Sequence, residues 1–244
     1  MNDVLSLYAK SPRLTRAFLR GRVFLSDLEF VESFVPREGT VIDLGCGHGL
    51  FANLLAVRGP GRQVKGVDID CARIEEARRT IGRRANVDFI CSGFEELDVS
   101  GCAAVTIADV LYLLPFADQV RLLRQCHGKL AEGGMLVWKA QERRPRWKYF
   151  FTYLQELIAT SSGLTKGKRS RLTFMSREQA VAAMRESGFE TRIVEMRSWR
   201  PYTDVLFLGR KKTPGGIEAE SCLGGNLASS GSLKYLDLQD ISRL

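Results

Sequence analysis

The chain has 244 residues, which suits one large domain or one domain with appendages. Hydrophobic residues make up 45% and charged residues 26%, the balance of a globular protein with length enough for a core. A formal net charge of +8 admits an anionic partner (nucleic acid, membrane surface or acidic substrate) without choosing among them, and no apolar run reaches the roughly 20 residues that span a bilayer.

The opening MNDVLSLYAK lacks the basic start, long apolar centre and small-residue cleavage site of a signal peptide, so a cytoplasmic protein is expected. Residues 1–38 read as a helical segment with two helices. SPRLTRAFLRGRVF sets Leu14, Phe18 and Leu19 among Arg13, Arg16, Arg20 and Arg22; SDLEFVESFV begins at Ser26, which has the character of an N-cap. Strand and helix signals then alternate: strand GTVIDLG, helix GLFANLLAVRG closed by Gly59, strand VKGVDID, helix CARIEEARRTIGRR, strand NVDFICSG, strand CAAVTIADVLYLL, helix FADQVRLLRQCHGKL and strand GMLVWKA. A further helix, WKYFFTYLQELIAT, a basic linker, the helix SREQAVAAMRESG and the strands ETRIVEMRS and TDVLFLGRK follow. Such alternation indicates βαβ units and a parallel sheet covered on both faces. Residues 213–244 turn Gly- and Ser-rich and read as a disordered tail. The six cysteines show no C-x-x-C spacing, which predicts reduced thiols with no disulfide framework; with two histidines, no metal site is expected.

The stretch VIDLGCGHGL joins the first strand to the first helix. It puts backbone N–H groups and a helix N-terminus at the carboxyl end of the sheet, a cofactor position on any such fold. A nicotinamide fingerprint would need its third glycine at position 50, which is Leu50, and no Gly-Lys-Ser/Thr of a P-loop follows. The pattern is D-x-G-x-G-x-G: Asp43, Gly45, Gly47 and Gly49, with Cys46 inside the turn.

On these residues the sequence resembles the class I S-adenosylmethionine-dependent methyltransferases, well over roughly residues 38–140 and in outline beyond. The resemblance implies an α/β, doubly wound, mostly parallel seven-stranded Rossmann-like sheet with an antiparallel last strand. The methyltransferase domain would span 39–212, with a substrate lid at about 141–175. The ligand would be S-adenosyl-L-methionine. Its ammonium would be drawn by the acid near the turn, its carboxylate met by turn N–H groups, and the glycines would let the backbone approach without a Cβ in the way. By the same resemblance Asp68, ending KGVDID, takes the ribose hydroxyls and Ile69 packs on adenine, while Asp70 caps the next helix. An acid that reads the adenine amino group is expected where Gly93 stands, a departure that leaves Ser92, Phe94, Glu95 or the backbone as substitutes. Asp109, after the fourth strand, would lie under the sulfonium facing the acceptor, with Tyr112 close by, either holding the positive donor or serving as base.

The acceptor is read from QERRPRWKYFFTYLQELIAT. Arginines precede an aromatic helix, and Arg146, Trp147, Tyr149 and Tyr153 are the substrate candidates, with Trp199, Arg200 and Tyr202 as weaker ones. A basic entrance and aromatic wall suit a small-molecule or lipid-like acceptor with an anionic group and apolar body, an acyl carrier as its bearer, or an anionic membrane surface. A looser likeness to small bacterial methyltransferases of aryl polyene, polyketide or lipid biosynthesis points the same way. The alternatives are an RNA acceptor, motivated by the +8 charge, and a cofactor-binding protein without turnover.

Overall fold

Seven strands form one sheet in the order β3-β2-β1-β4-β5-β7-β6. The computed structural model describes residues 1–82, 84–141, 172–196 and 204–213. In chain order the elements are α1 (Asn2–Ser6), α2 (Arg13–Leu25), α3 (Leu28–Glu32), β1 (Glu38–Leu44), α4 (Leu50–Arg58), β2 (Gly61–Asp68), α5 (Cys71–Arg78), β3 (Val87–Cys91) and β4 (Cys102–Ala108). A 3₁₀ turn (Leu111–Leu113), α6 (Phe116–Lys129), β5 (Leu130–Gln141), α7 (Arg177–Glu186), β6 (Phe189–Glu195) and β7 (Asp204–Lys211) complete it. The strand pairs β1–β2, β1–β4, β2–β3 and β4–β5 are parallel. β7 runs antiparallel between β5 and β6, so the expected doubly wound sheet with a reversed last strand is present.

Period-two geometry explains why β1 reads as an unbroken apolar run. Val41 joins the core with Leu19, Leu54 and Ile74, whereas its neighbour Ile42 joins Val105, Leu123 and Met184. Each face of the sheet is thus covered by its own helices. The connections leave β1 and β4 toward opposite sides, which makes the crevice beyond their carboxyl ends the topological switch point.

Three expectations are corrected. Ser26 does not cap the next helix: Asp27 stands at the N-cap of α3, and Ser26 ends α2 with its hydroxyl 3.4 Å from Asp109 Oδ2. The thiols are not all reduced, because Cys71 and Cys91 form a disulfide. Their separation of 20 residues hides the pairing of β2 with β3, which sets the end of β3 beside the start of α5. The N-terminal segment also holds three helices, where two were expected. α3 is clasped to β2 by Arg62, fully buried, which donates to Glu32 Oε1 at 2.7 Å and to the carbonyls of Val35, Pro36 and Leu55. α7 starts at Ser176, whose hydroxyl accepts from the Gln179 N–H while the Gln179 side chain accepts from the Ser176 N–H. Most of the proposed lid (142–171), with Arg146, Trp147, Tyr149 and Tyr153, lies outside the described residues. So do Trp199, Arg200, Tyr202 and the tail from 214. Among the described residues, no helix is long and apolar enough to cross a membrane.

Candidate active site

The site is built around the turn between β1 and α4. Gly45, Gly47 and Gly49 all have positive φ, at 72°, 55° and 77°. A Cβ on Gly45 would meet Val110 at 2.6 Å, and one on Gly49 would meet the Phe89 ring at 2.4 Å. These two glycines are therefore required by the protein's own packing. Gly47 differs: a Cβ there finds only Arg73, at 4.0 Å, and otherwise open space. Of the three, only Gly47 has beside it the open space that the expected ligand cradle requires.

The turn's N–H groups are largely committed. Those of Gly45 and Cys46 donate to the Val67 carbonyl, that of Gly47 to Asp68 Oδ2 at 2.8 Å, and that of Gly49 to the Cys46 carbonyl. The expectation that turn N–H groups meet a carboxylate therefore does not fit these four. Cys46 turns its side chain inward, since a Cβ on Gly66 would lie 3.0 Å from its sulfur, and burial pushes its thiol up. Tyr8, which the sequence reading passed over, braces the turn from below. Its hydroxyl donates to the His48 carbonyl at 2.8 Å and accepts from Asn53. Its only trace in the sequence is an aromatic residue just after the apolar turn of α1.

Asp43 is 2% exposed. Its Oδ1 lies 2.9 Å from the Thr106 hydroxyl, while Oδ2 finds no hydrogen-bond partner. Burial raises the carboxyl to about 7, although Thr106, Arg22 and the Ala52 N–H pull the other way. A buried acid with an unsatisfied oxygen beside an open cradle fits a cationic group arriving from outside.

Asp68 ends β2. Besides Gly47, it accepts from the Asp70 N–H through Oδ1 at 2.8 Å. Asp70 caps α5 by accepting from the Ala72 N–H. Ile69 is 76% exposed, a large apolar side chain left in water next to these acids. Gly93 has no acid in its place. Glu95 turns away to Gln125 and Arg121, and Phe94 is buried in the core under the Lys129 ammonium. A side-chain role for Phe94 at the adenine is thereby removed.

Asp109 is the single non-glycine residue with positive φ among the described residues, at 59°. It is held by fixed charges. Lys139 Nζ, fully buried, lies 2.6 Å from Oδ1 and 2.9 Å from Asp204 Oδ2, and Arg22 reaches within 3.8 Å of Asp109 Oδ2. Burial by itself would push the Asp109 carboxyl up; Lys139 and Arg22 outweigh it and hold the group below its ordinary value. That argues against the general-base alternative, since a carboxylate so stabilised takes a proton reluctantly. Tyr112 lies in the 3₁₀ turn, buried and stacked on Phe174 with centroids 4.8 Å apart. A small cavity lined by Tyr112, Trp138, Phe174, Met175 and Phe207 adjoins that pair. His48 is buried under the turn, 3.8 Å from Glu76, and burial with Arg73 lowers its pKa.

Arg22 was read in the sequence only as one of several arginines on a helix. From the last turn of α2 it donates to the Ala108 carbonyl at 3.2 Å, and its charge acts on Asp43, His48 and Asp109 alike. No local pattern singles it out, because its position depends on α2 folding back over the carboxyl ends of β1 and β4.

A glycine turn, an unpaired buried acid in front of it and an acid at the end of β2, all on this sheet order, define a class I methyltransferase. Comparison with known proteins agrees: a methyltransferase-domain family matches residues 41–134. The chain is 26% identical over 190 residues to a ubiquinone biosynthesis O-methyltransferase of Marinobacter nauticus, covering 75% of this chain and 77% of that one. It is 31% identical over 164 residues to a trans-aconitate 2-methyltransferase of Pseudomonas aeruginosa, covering 66% of this chain and 54% of that one. In fold it is similar to the magnesium protoporphyrin IX methyltransferase of Synechocystis PCC 6803 solved with bound S-adenosylhomocysteine. The TM-score there is 0.62 at 18% identity, over 85% of this chain and 92% of that one. The chain is an S-adenosylmethionine-dependent methyltransferase, and S-adenosylmethionine is its cofactor.

Proposed function

We propose that this enzyme methylates a small, partly apolar acceptor, free or linked to a lipid or acyl carrier, at the switch point of the sheet. The observation that carries the placement of the donor is the buried Asp43, with one carboxylate oxygen lacking a hydrogen-bond partner, on the strand that runs into the turn with open space at Gly47. In this reading Asp43 meets the ammonium of the donor's amino-acid end. Arg22 meets its carboxylate, because the N–H groups of Gly45, Cys46, Gly47 and Gly49 are already engaged. Asp68 takes the ribose hydroxyls with the lone pairs its two backbone donors leave, and Ile69 covers the adenine face. Backbone groups at Ser92 and Gly93 stand in for the missing adenine-reading acid.

Bound S-adenosylmethionine supplies an electrophilic methyl group on a good leaving group. The chain's own task is then alignment of donor and acceptor, which is worth on the order of 10⁵–10⁸ M in effective concentration. Asp109, ionised and clamped by Lys139, acts as a fixed negative charge beneath the donor. Tyr112 marks the acceptor side; the aromatic cavity beside it, about 20 Å³, has room for little more than a water-sized group and is a wall of the acceptor site, not its seat. A small acceptor is supported by the relatives, whose names specify ubiquinone biosynthesis and trans-aconitate. The sequence-based lid at about 141–175, with Arg146, Trp147, Tyr149 and Tyr153, remains part of the proposal as the acceptor's cover.

Calorimetry with S-adenosylhomocysteine tests the donor seat. The wild-type protein binds it, and Asp68→Ala weakens binding by about 1–3 kcal/mol, the scale of lost hydrogen bonds to a charged group. An unchanged dissociation constant in a folded variant would refute the ribose assignment. Activity with a panel of quinol, phenol and carboxylate acceptors then assigns the acceptor class. Methylation of RNA alone would replace the small-molecule reading.

A further inference from the structure

We propose that the Cys71–Cys91 disulfide is a reversible redox switch on the adenosine half of the donor seat, which it holds in shape when oxidised and leaves slack when a dithiol reduces it. Cys71 is the first residue of α5, directly after Asp68, Ile69 and Asp70. Cys91 is the last residue of β3, directly before Ser92 and Gly93. The bond therefore ties together the two segments to which the function proposed above assigns ribose and adenine, and the inference rests on that assignment. Cys91 Sγ also lies 3.9 Å from the Ile69 carbonyl, so the bridge touches the backbone of the residue assigned to the adenine face. β3 is the edge strand, paired with β2 and with no strand on its other side among the described residues. Past its end the Ser92 N–H donates to the Asp68 carbonyl at 3.2 Å. An edge held this way opens readily once the covalent tie is cut. Asp68 itself is held by the Gly47 and Asp70 N–H groups, and Asp43 lies on β1, so the methionine end of the donor stays outside the switch.

Access makes this disulfide exchangeable. Cys71 is exposed and Cys91 half-buried. Cys46, Cys102 and Cys126 are buried free thiols, and burial raises the pKa of each, which leaves them poor nucleophiles. Among the described residues, thiol–disulfide exchange is thereby confined to the pair beside the donor. Exposed disulfides are the labile and regulatory kind, and where thiols are kept reduced they form only transiently. The reductant is a dithiol. Its thiolate attacks Cys71 Sγ, a mixed disulfide forms, and the Cys71–Cys91 bond breaks with Cys91 leaving as thiolate. The reductant's second thiolate then closes on its own first sulfur and expels Cys71. Two electrons and two protons pass to the pair, which ends as two thiols, and the dithiol ends as a disulfide.

Calorimetry of the full chain with S-adenosylhomocysteine, before and after dithiothreitol, tests it. Oxidised protein should yield a Cys71–Cys91-linked peptide in mass spectrometry. Reduction should weaken binding about tenfold, the loss when only about a tenth of the molecules hold the seat formed. Methylthioadenosine, which has the adenosine end without the amino acid, should lose the same factor. Reoxidation should restore both affinities. Cys71→Ser/Cys91→Ser should bind as the reduced wild type does and ignore the reductant, while Cys222→Ser should keep the full response. Amide exchange without ligand should quicken over residues 87–93 on reduction and stay unchanged in β1. Equal affinity in the two redox states overturns the proposal, as does absence of the linked peptide or a response that is lost with Cys222. Failure of the oxidised wild type to bind S-adenosylhomocysteine refutes the donor seat itself, and it is told apart by the exchange result, which needs no ligand.

Discussion

Asp43 lies 2% exposed with one carboxylate oxygen unpaired, so its ionisation is coupled to whatever fills the turn. Burial holds its pKa near 7 in the empty protein, whereas an unfolded aspartate titrates near 4. Between those values the folded state binds the extra proton. Stability of the empty protein therefore falls, through this group, as pH rises from about 4 to 7. Asp43→Asn removes that loss, and urea denaturation at pH 8 should find the variant more stable by roughly 1–3 kcal/mol. A ligand ammonium favours the carboxylate, so binding should expel a proton near pH 6.5, and affinity should rise as pH increases toward 7. Calorimetry in two buffers of different ionisation heat reads the proton directly. In Asp43→Asn the release should vanish together with most of the affinity. Asp109 behaves in the opposite way, because Lys139 and Arg22 keep it ionised whether or not a ligand is present. Two acids at the ends of adjacent strands thus have different tasks set by their neighbours.

The N-terminal elements show how the site is assembled from parts distant in sequence. Tyr8, just after α1, lies beneath the glycine turn, α2 supplies Arg22 above it, and α3, which follows α2 directly, is anchored to β2 by the clasp of Glu32 on Arg62. Removing one partner of a fully buried pair leaves the other charge uncompensated, typically at a cost of about 3–5 kcal/mol. Glu32→Ala should accordingly lower the urea midpoint by that much stability. It should also loosen α2 and α3 first, seen as faster amide exchange in residues 13–32 than in the sheet. If exchange instead accelerates uniformly, α3 is not a separate clasp but part of the global unit.

At the scale of the whole molecule the donor site is a meeting place of β1, β2, β4 and α2, so a ligand there ties four elements together. A ligand that binds only the folded state stabilises it by about 2.7 kcal/mol at one hundred times its dissociation constant. For a chain of this size that corresponds to a rise in melting temperature of roughly 5–10 °C. Scanning calorimetry with saturating S-adenosylhomocysteine should show it, and NADH should produce no shift. A shift with NADH equal to that with S-adenosylhomocysteine would contradict the donor assignment.

Local chemistry made part of this protein legible in its sequence. The alternation of strands and helices specified a parallel sheet, because a strand buried on both faces must be apolar at every position. The order Asp43, Gly45, Gly47, Gly49 and the acid at the end of KGVDID pointed to S-adenosylmethionine through their resemblance to the class I methyltransferases, a pattern carried by two short strand–turn stretches. What depends on segments meeting across the chain could only come from the tertiary structure. Gly45 and Gly49 are glycine because Val110, just after β4, and the Phe89 ring of β3 press on them, contacts made by residues 65 and 40 positions away. Cys71 and Cys91 pair because β2 lies against β3. Phe94, eligible as a ligand contact by its place after β3, packs into the core once α6 covers that face. Asp109 could be placed at the end of β4 from the sequence, but its charge state could not. That is set by Lys139 on β5 and Arg22 on α2, since a buried carboxylate takes its pKa from the charges that folding brings within a few ångströms.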